Sequence, residues 1–171
     1  MPLQLDFAPL ACFVVLMATA AFEDLRRLVI PNAIIVGLCV LWPLHLALAP
    51  GTTLVSAITA FGYGLAVFAA GAVLFSRGLI GGGDVKLLAA ATLWAGPGST
   101  MQLLFLTGLL GGLLALFALS PPGRQFAALR RGVATTGPSE IAAVPADRVA
   151  VPYGVAIASA AVIVTIPPSF S

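Results

Sequence analysis

The chain has 171 residues, of which 60% are hydrophobic and 8% charged, with a formal net charge of +2. A soluble globular domain carries about 25% charged residues, and the eight basic and six acidic side chains here cannot coat a 17.3 kDa globule. With a mean hydropathy of +1.11, most of the surface must face lipid, which excludes a soluble enzyme, a nucleic-acid-binding domain and a disordered tail.

A membrane-crossing helix needs about 20 mostly apolar residues. Taken in chain order, such segments fall at 5–22, 28–49, 53–75, 85–97, 99–119 and 149–167. The first holds Ala18-Thr19-Ala20, which resembles a leader cleavage site. No Lys or Arg precedes it, however, and Asp6 has the wrong sign, so it is read as a retained span. The second has Pro31 in its first turn, and Pro43 and His45 near its far end. The third has no charge at all. The run from Val85 to Gly96 is short enough to be either a fourth span or a re-entrant segment, and charge placement decides between them. If the first span runs from outside to inside and all six cross, the inner loops hold Arg26, Arg27, Arg77, Lys86, Arg124, Arg130, Arg131 and Arg148. These are all the Lys and Arg residues of the chain, as the positive-inside rule requires. The expected fold is therefore a single all-α, polytopic membrane domain over 1–171 with six transmembrane helices and both termini outside.

The inner loop 120–148 is the one long polar stretch. Pro121-Pro122-Gly123 and Gly137-Pro138 break helices there, and 124–133 fits a short surface helix anchored at the headgroups by Arg130 and Arg131. Cys12 and Cys39 lie in apolar runs, with no CxxC pair and no Cys/His cluster. They are expected to be small buried hydrophobes, and neither a metal site nor a cofactor is expected.

Few polar residues are left over. Glu23-Asp24-Leu25-Arg26-Arg27 closes the first span, and Gly81-Gly82-Gly83-Asp84-Val85-Lys86 opens the fourth. Two carboxylates thus reach one membrane face from distant parts of the chain, where a charge is costly without water, a partner or a function. Taken alone, Asp24 also fits an interfacial charge paired with Arg26 or Arg27, and Asp84 fits an ordinary helix cap. The three glycines before Asp84 suggest an unwound backbone open to close approach, or else a plain flexible loop. Two aspartates sharing one proton can hydrolyse a peptide bond without metal, Ser or Cys: one activates water and the other protonates the carbonyl oxygen.

Gly81-Gly82-Gly83-Asp84 resembles the GxGD motif of intramembrane aspartic proteases. Asp24-Leu25-Arg26-Arg27-Leu28-Val29-Ile30-Pro31-Asn32 resembles the first aspartate motif of type IV prepilin peptidases, and Val151-Pro152-Tyr153-Gly154 resembles the segment that opens their last span. The order also agrees, and the likeness is greatest to the short peptidases of tight-adherence (Flp-type) pilus systems. The resemblance implies removal of a short basic leader from prepilins or pseudopilins at the cytoplasmic face of a bacterial inner membrane, with Asp24 and Asp84 as the catalytic pair. It also implies membrane lipid and the pilus assembly machinery as surroundings. Larger relatives carry a CxxC-bearing region linked to N-methylation. This chain lacks those cysteines, so peptidase without methyltransferase activity is expected.

In the same frame, Pro31, Asn32, Lys86, Pro152, Tyr153 and Gly154 are candidate supporting or cleft residues alongside Gly81, Gly82 and Gly83. Tyr153 is expected in the interfacial aromatic zone, Glu23 as a solvated neighbour, and His45 on the outer side, away from the chemistry. Lys86 fits a contact to Asp84, a contact to substrate or an interfacial anchor. Three rival readings fit less well. A carrier or proton relay would place its charges near mid-membrane. A non-enzymatic pilus assembly factor leaves the two aspartates unexplained. A signal-peptide-peptidase-like protease would place its first aspartate within a span as Tyr-Asp.

Overall fold

The computed structural model describes residues 7–48, 52–123, 125 and 151–166. Beyond residue 125, the loop 120–148 lies outside them, and with it nearly all of the expected surface helix at 124–133. The described residues are helical and contain no strand: α1 (Phe7–Arg27), α2 (Asn32–Leu48), α3 (Leu54–Ser76), α4 (Gly82–Leu119) and α5 (Tyr153–Thr165). Ala8–Arg27, Leu54–Ser76 and Gly82–Leu119 are long and apolar enough to cross a membrane, and α2 and α5 are shorter apolar helices. This is a multi-pass membrane protein.

Helix α4 is bent. Gly96 takes φ 70° and ψ 172° within it, a conformation open to glycine and strained for other residues. Pro97 follows, suited by its fixed φ and missing N–H to the first turn of a new helix. The expected fourth and fifth spans therefore meet at a kink, as helical segments 82–95 and 97–119.

Local spacing explains which faces turn inward. On α1, Phe13, Met17, Ala20 and Asp24 are buried. Steps of four, three and four residues put them on one stripe of a 3.6-residue helix, so Asp24 lies on the packed face of α1. Helix α5 packs against both α1 and α4. Its buried positions are Gly154, Ala156, Ile157, Ala158, Ala160 and Ala161, nearly all small, which lets neighbouring backbones approach closely. Helix α3 packs mainly on α4 through Ala60 and Gly64, and leaves Ile58, Phe61, Leu65 and Phe68 exposed on its outer surface.

Two indoles lace α2 to α4. Trp42 Nε1 donates to the Leu93 carbonyl at 2.8 Å, and Trp94 Nε1 donates to the Leu38 carbonyl at 3.0 Å. Away from water an indole N–H needs such a partner. Trp94 is also stacked between Phe13 and His45, with centroids at 4.6 and 4.9 Å, so His45 belongs to this aromatic stack.

Three expectations are corrected. Cys12 and Cys39 are exposed, not buried; in a membrane protein the outer face is apolar too, so an apolar run does not tell inside from outside. The first helix continues past 22 to Arg27, which puts Asp24 in its last turn. The second begins at Asn32, so Pro31 precedes it instead of lying in its first turn. Leu28 and Pro31 set the two boundaries. Leu28 has φ 56°, a left-handed turn that stops α1, while Pro31 biases Ile30 towards extended backbone.

Candidate active site

Three chain segments converge on one cleft of about 330 Å³, lined by Asp24, Leu28, Val29, Ile30, Asn32, Gly81, Gly82, Gly83, Asp84 and Lys86. One water occupies roughly 30 Å³ of liquid, so the cleft has room for water and a stretch of peptide together. Asp24 comes from the end of α1, Asp84 from the first turn of α4, and residues 28–30 form the non-helical link between α1 and α2. Asp24 is buried and 4% exposed, Asp84 is half-buried, and the two carboxyl groups lie within electrostatic reach of one another.

The basic residues beside Asp24 are engaged elsewhere. Arg27 Nε pairs with Glu23 Oε2 at 3.3 Å, and the Arg26 guanidinium lies over the Phe22 ring at 5.1 Å. Glu23 thus serves a half-buried i,i+4 pair with the exposed Arg27. Asp24 points to the packed side of the same helix, on the stripe of Phe13, Met17 and Ala20.

The glycines before Asp84 are not unwound as a run. Gly81 alone is extended, at φ −72° and ψ 141°, while Gly82 and Gly83 are the first residues of α4. None of the three has positive φ. What they provide is the absence of a Cβ. A methyl group on Gly83 would stand 3.3 Å from Ile30 Cβ, one on Gly82 3.2 Å from the Phe75 ring, and one on Gly81 2.7 Å from Asp84 Oδ2. The first turn of α4 is thereby seated against Ile30, beside Asp24.

Helix α5 closes the site from behind. A methyl group on Gly154 would lie 2.9 Å from Asp24 Oδ2 and 3.0 Å from Ile30 Cδ1. Neighbouring Tyr153 is half-buried, with its ring packed on Gly111 of α4 and within electrostatic reach of Asp84. Pro152 caps α5, its carbonyl accepting from the Val155 N–H at 3.3 Å, and the Pro31 carbonyl accepts from the Ile34 N–H at 3.1 Å. Pro31, Pro152 and Tyr153 support the elements around the cleft and do not line it, whereas Asn32, Gly81, Gly82, Gly83 and Lys86 do.

Two residues that sequence reasoning did not single out prove central. Ile30, 7% exposed, is the side chain on which both Gly83 and Gly154 rest. In the sequence it stands in the Asp24–Asn32 motif directly before Pro31, with no role of its own assigned to it. Gly111 provides the notch for Tyr153, while a methyl group on Gly108 or Gly112 of the same helix would meet nothing within 4 Å. No local pattern separates the three.

The aspartates, the glycine-opened helix and the 28–32 link therefore line one polar cleft. No curated protein and no solved structure matches the chain. A family model does match it, over residues 11–116, a stretch that includes Asp24 and Asp84 and ends before α5. By that match the chain belongs to the type IV leader peptidase family.

Proposed function

We propose that this peptidase is an aspartic endopeptidase that removes the basic leader of Flp-type prepilins, with Asp24 and Asp84 as its catalytic pair. The observation that carries the reading is the convergence of these two carboxyl groups, from α1 and α4, on one cleft.

Two carboxyl groups at close range cannot both ionise easily, so the pair holds one proton between them. The ionised member accepts a proton from water as the water oxygen attacks the scissile carbonyl carbon. The protonated member gives its proton to the carbonyl oxygen. Collapse of the tetrahedral intermediate breaks the C–N bond, and a carboxyl proton passes to the leaving nitrogen. The pair titrates as a unit, so neither aspartate has a fixed role.

The placement of all eight Lys and Arg residues supports six spans with both termini outside, and thus an active site at the cytoplasmic face of the inner membrane. A prepilin with its hydrophobic helix in the membrane and its basic leader in the cytoplasm presents the scissile bond at that depth. The missing CxxC motifs support peptidase activity without N-methylation.

The test is cleavage of a co-expressed Flp-type prepilin by wild type, Asp24→Asn and Asp84→Asn, read as a mass shift on gels. Asn keeps the size and cannot carry the proton. Processing by wild type and none by either variant, at equal membrane levels, is the expected result. Processing by either variant removes that residue from catalysis.

A further inference from the structure

The polar lining of the cleft divides by chemistry. Asp24 and Asp84 offer oxygen acceptors. Asn32 and Lys86, both exposed, meet across the cleft from α2 and α4, with Lys86 Nζ donating to Asn32 Oδ1 at 3.1 Å. An ammonium has three donors and no acceptor, and a primary amide has two donors beside its oxygen. With Asn32 Oδ1 engaged, what the pair presents is N–H donors. Among the described residues the Lys86 side chain makes this one hydrogen bond and no ion pair, although two carboxyl groups line the same cleft. A lysine that only anchors a helix at the interface extends its head towards water. This one, exposed as it is, is in addition held to another helix by a partner 54 positions away.

We propose that Lys86, positioned by Asn32, is a substrate-binding residue that receives a main-chain carbonyl oxygen next to the scissile bond. The proposal rests on the peptidase reading above and adds to it how the peptide is held. A peptide drawn into the cleft presents a carbonyl at every residue, and beside the one proton shared by the carboxyl pair and the backbone N–H groups that open α4, the Lys86 ammonium is the charged donor of the lining. An acidic substrate side chain is disfavoured there, because it would enter beside two carboxyl groups.

The test separates binding from cleavage. A labelled, uncut prepilin peptide spanning the leader–helix junction is titrated by fluorescence anisotropy against Asp84→Asn protein in detergent, with and without further changes at Lys86 and Asn32. Lys86→Met is expected to weaken binding about tenfold, the loss of a charge-assisted hydrogen bond. Lys86→Arg is expected to restore most of it, and Asn32→Ala to give a smaller loss. A second peptide has its acidic side chains replaced by amides. Persistence of the tenfold loss with this peptide supports a main-chain oxygen, and disappearance of the loss overturns that assignment.

In otherwise wild-type enzyme, Lys86→Met is expected to raise KM and leave kcat nearly unchanged. A fall in kcat at constant KM would mean that Lys86 serves the aspartates, and overturns the proposal. So does equal binding by parent and Lys86→Met, or no binding by the parent. Binding by Asp84→Asn protein with no cleavage by wild type would sink the peptidase reading and leave the binding role standing.

Discussion

Gly154 lies against the carboxyl group of Asp24, so close that a methyl group on it would stand 2.9 Å from Oδ2 and 3.0 Å from Cγ. The two residues are far apart in sequence, on α5 and α1, and the family match that covers Asp24 ends before Gly154. The backbone of α5 thus forms the rear wall of the site and fixes how far the Asp24 side chain can swing.

Gly154→Ala is therefore expected to cut prepilin cleavage by about tenfold or more, since overpacking a tight contact costs roughly 1–3 kcal/mol. The control is Gly62→Ala, where an added methyl group meets nothing within 4 Å. Initial rates on one prepilin, normalised to membrane levels, check this. Equal rates for the two variants would show that Asp24 does not depend on the α5 wall.

The run Gly81-Gly82-Gly83 is expected to respond unevenly to alanine. Gly82→Ala meets the ring of Phe75, which is exposed and free to turn. Gly81→Ala meets Asp84 Oδ2 at 2.7 Å. Rates within about threefold of wild type for Gly82→Ala and about tenfold lower for Gly81→Ala are expected, the latter corresponding to roughly 1.4 kcal/mol in the barrier. A run needed only for flexibility would respond equally at both positions, and the comparison of initial rates tells the two apart.

Leu28 at φ 56° adopts a left-handed backbone that costs a non-glycine residue roughly 1–2 kcal/mol. Leu28→Gly and Leu28→Ala remove nearly the same side chain, and only the first relieves the strain. Leu28→Gly is expected to be the more stable of the two by about 0.5–1 kcal/mol, after the larger entropy loss of ordering glycine. Thermal unfolding in detergent, run side by side, checks the order.

Trp94→Phe removes the 3.0 Å hydrogen bond to the Leu38 carbonyl and keeps an aromatic ring beside Phe13 and His45. A loss of about 1 kcal/mol in stability is expected. Cleavage at low temperature should stay near wild type, because Trp94 does not line the cleft. A melting curve together with a rate at reduced temperature tests both halves.

Much of this protein is written locally. Composition sets the membrane environment, and runs of apolar residues mark the helices. Asp24 and Asp84 stand out because a carboxylate beside hydrocarbon needs a reason. Even the inward face of Asp24 follows from its spacing with Phe13, Met17 and Ala20. Local pattern fails where lipid and core look alike, as at Cys12 and Cys39, whose apolar neighbours gave no sign of which way they faced. It also misjudged the glycines before Asp84, which are needed for room against Ile30, Phe75 and Asp84 more than for unwinding. Only the tertiary structure decided that Ile30 seats both Gly83 and Gly154, that Gly111 takes the ring of Tyr153, and that Lys86 reaches Asn32. Each is a contact between residues far apart in the chain, and local pattern bears on which way a side chain faces but not on which partner it meets there.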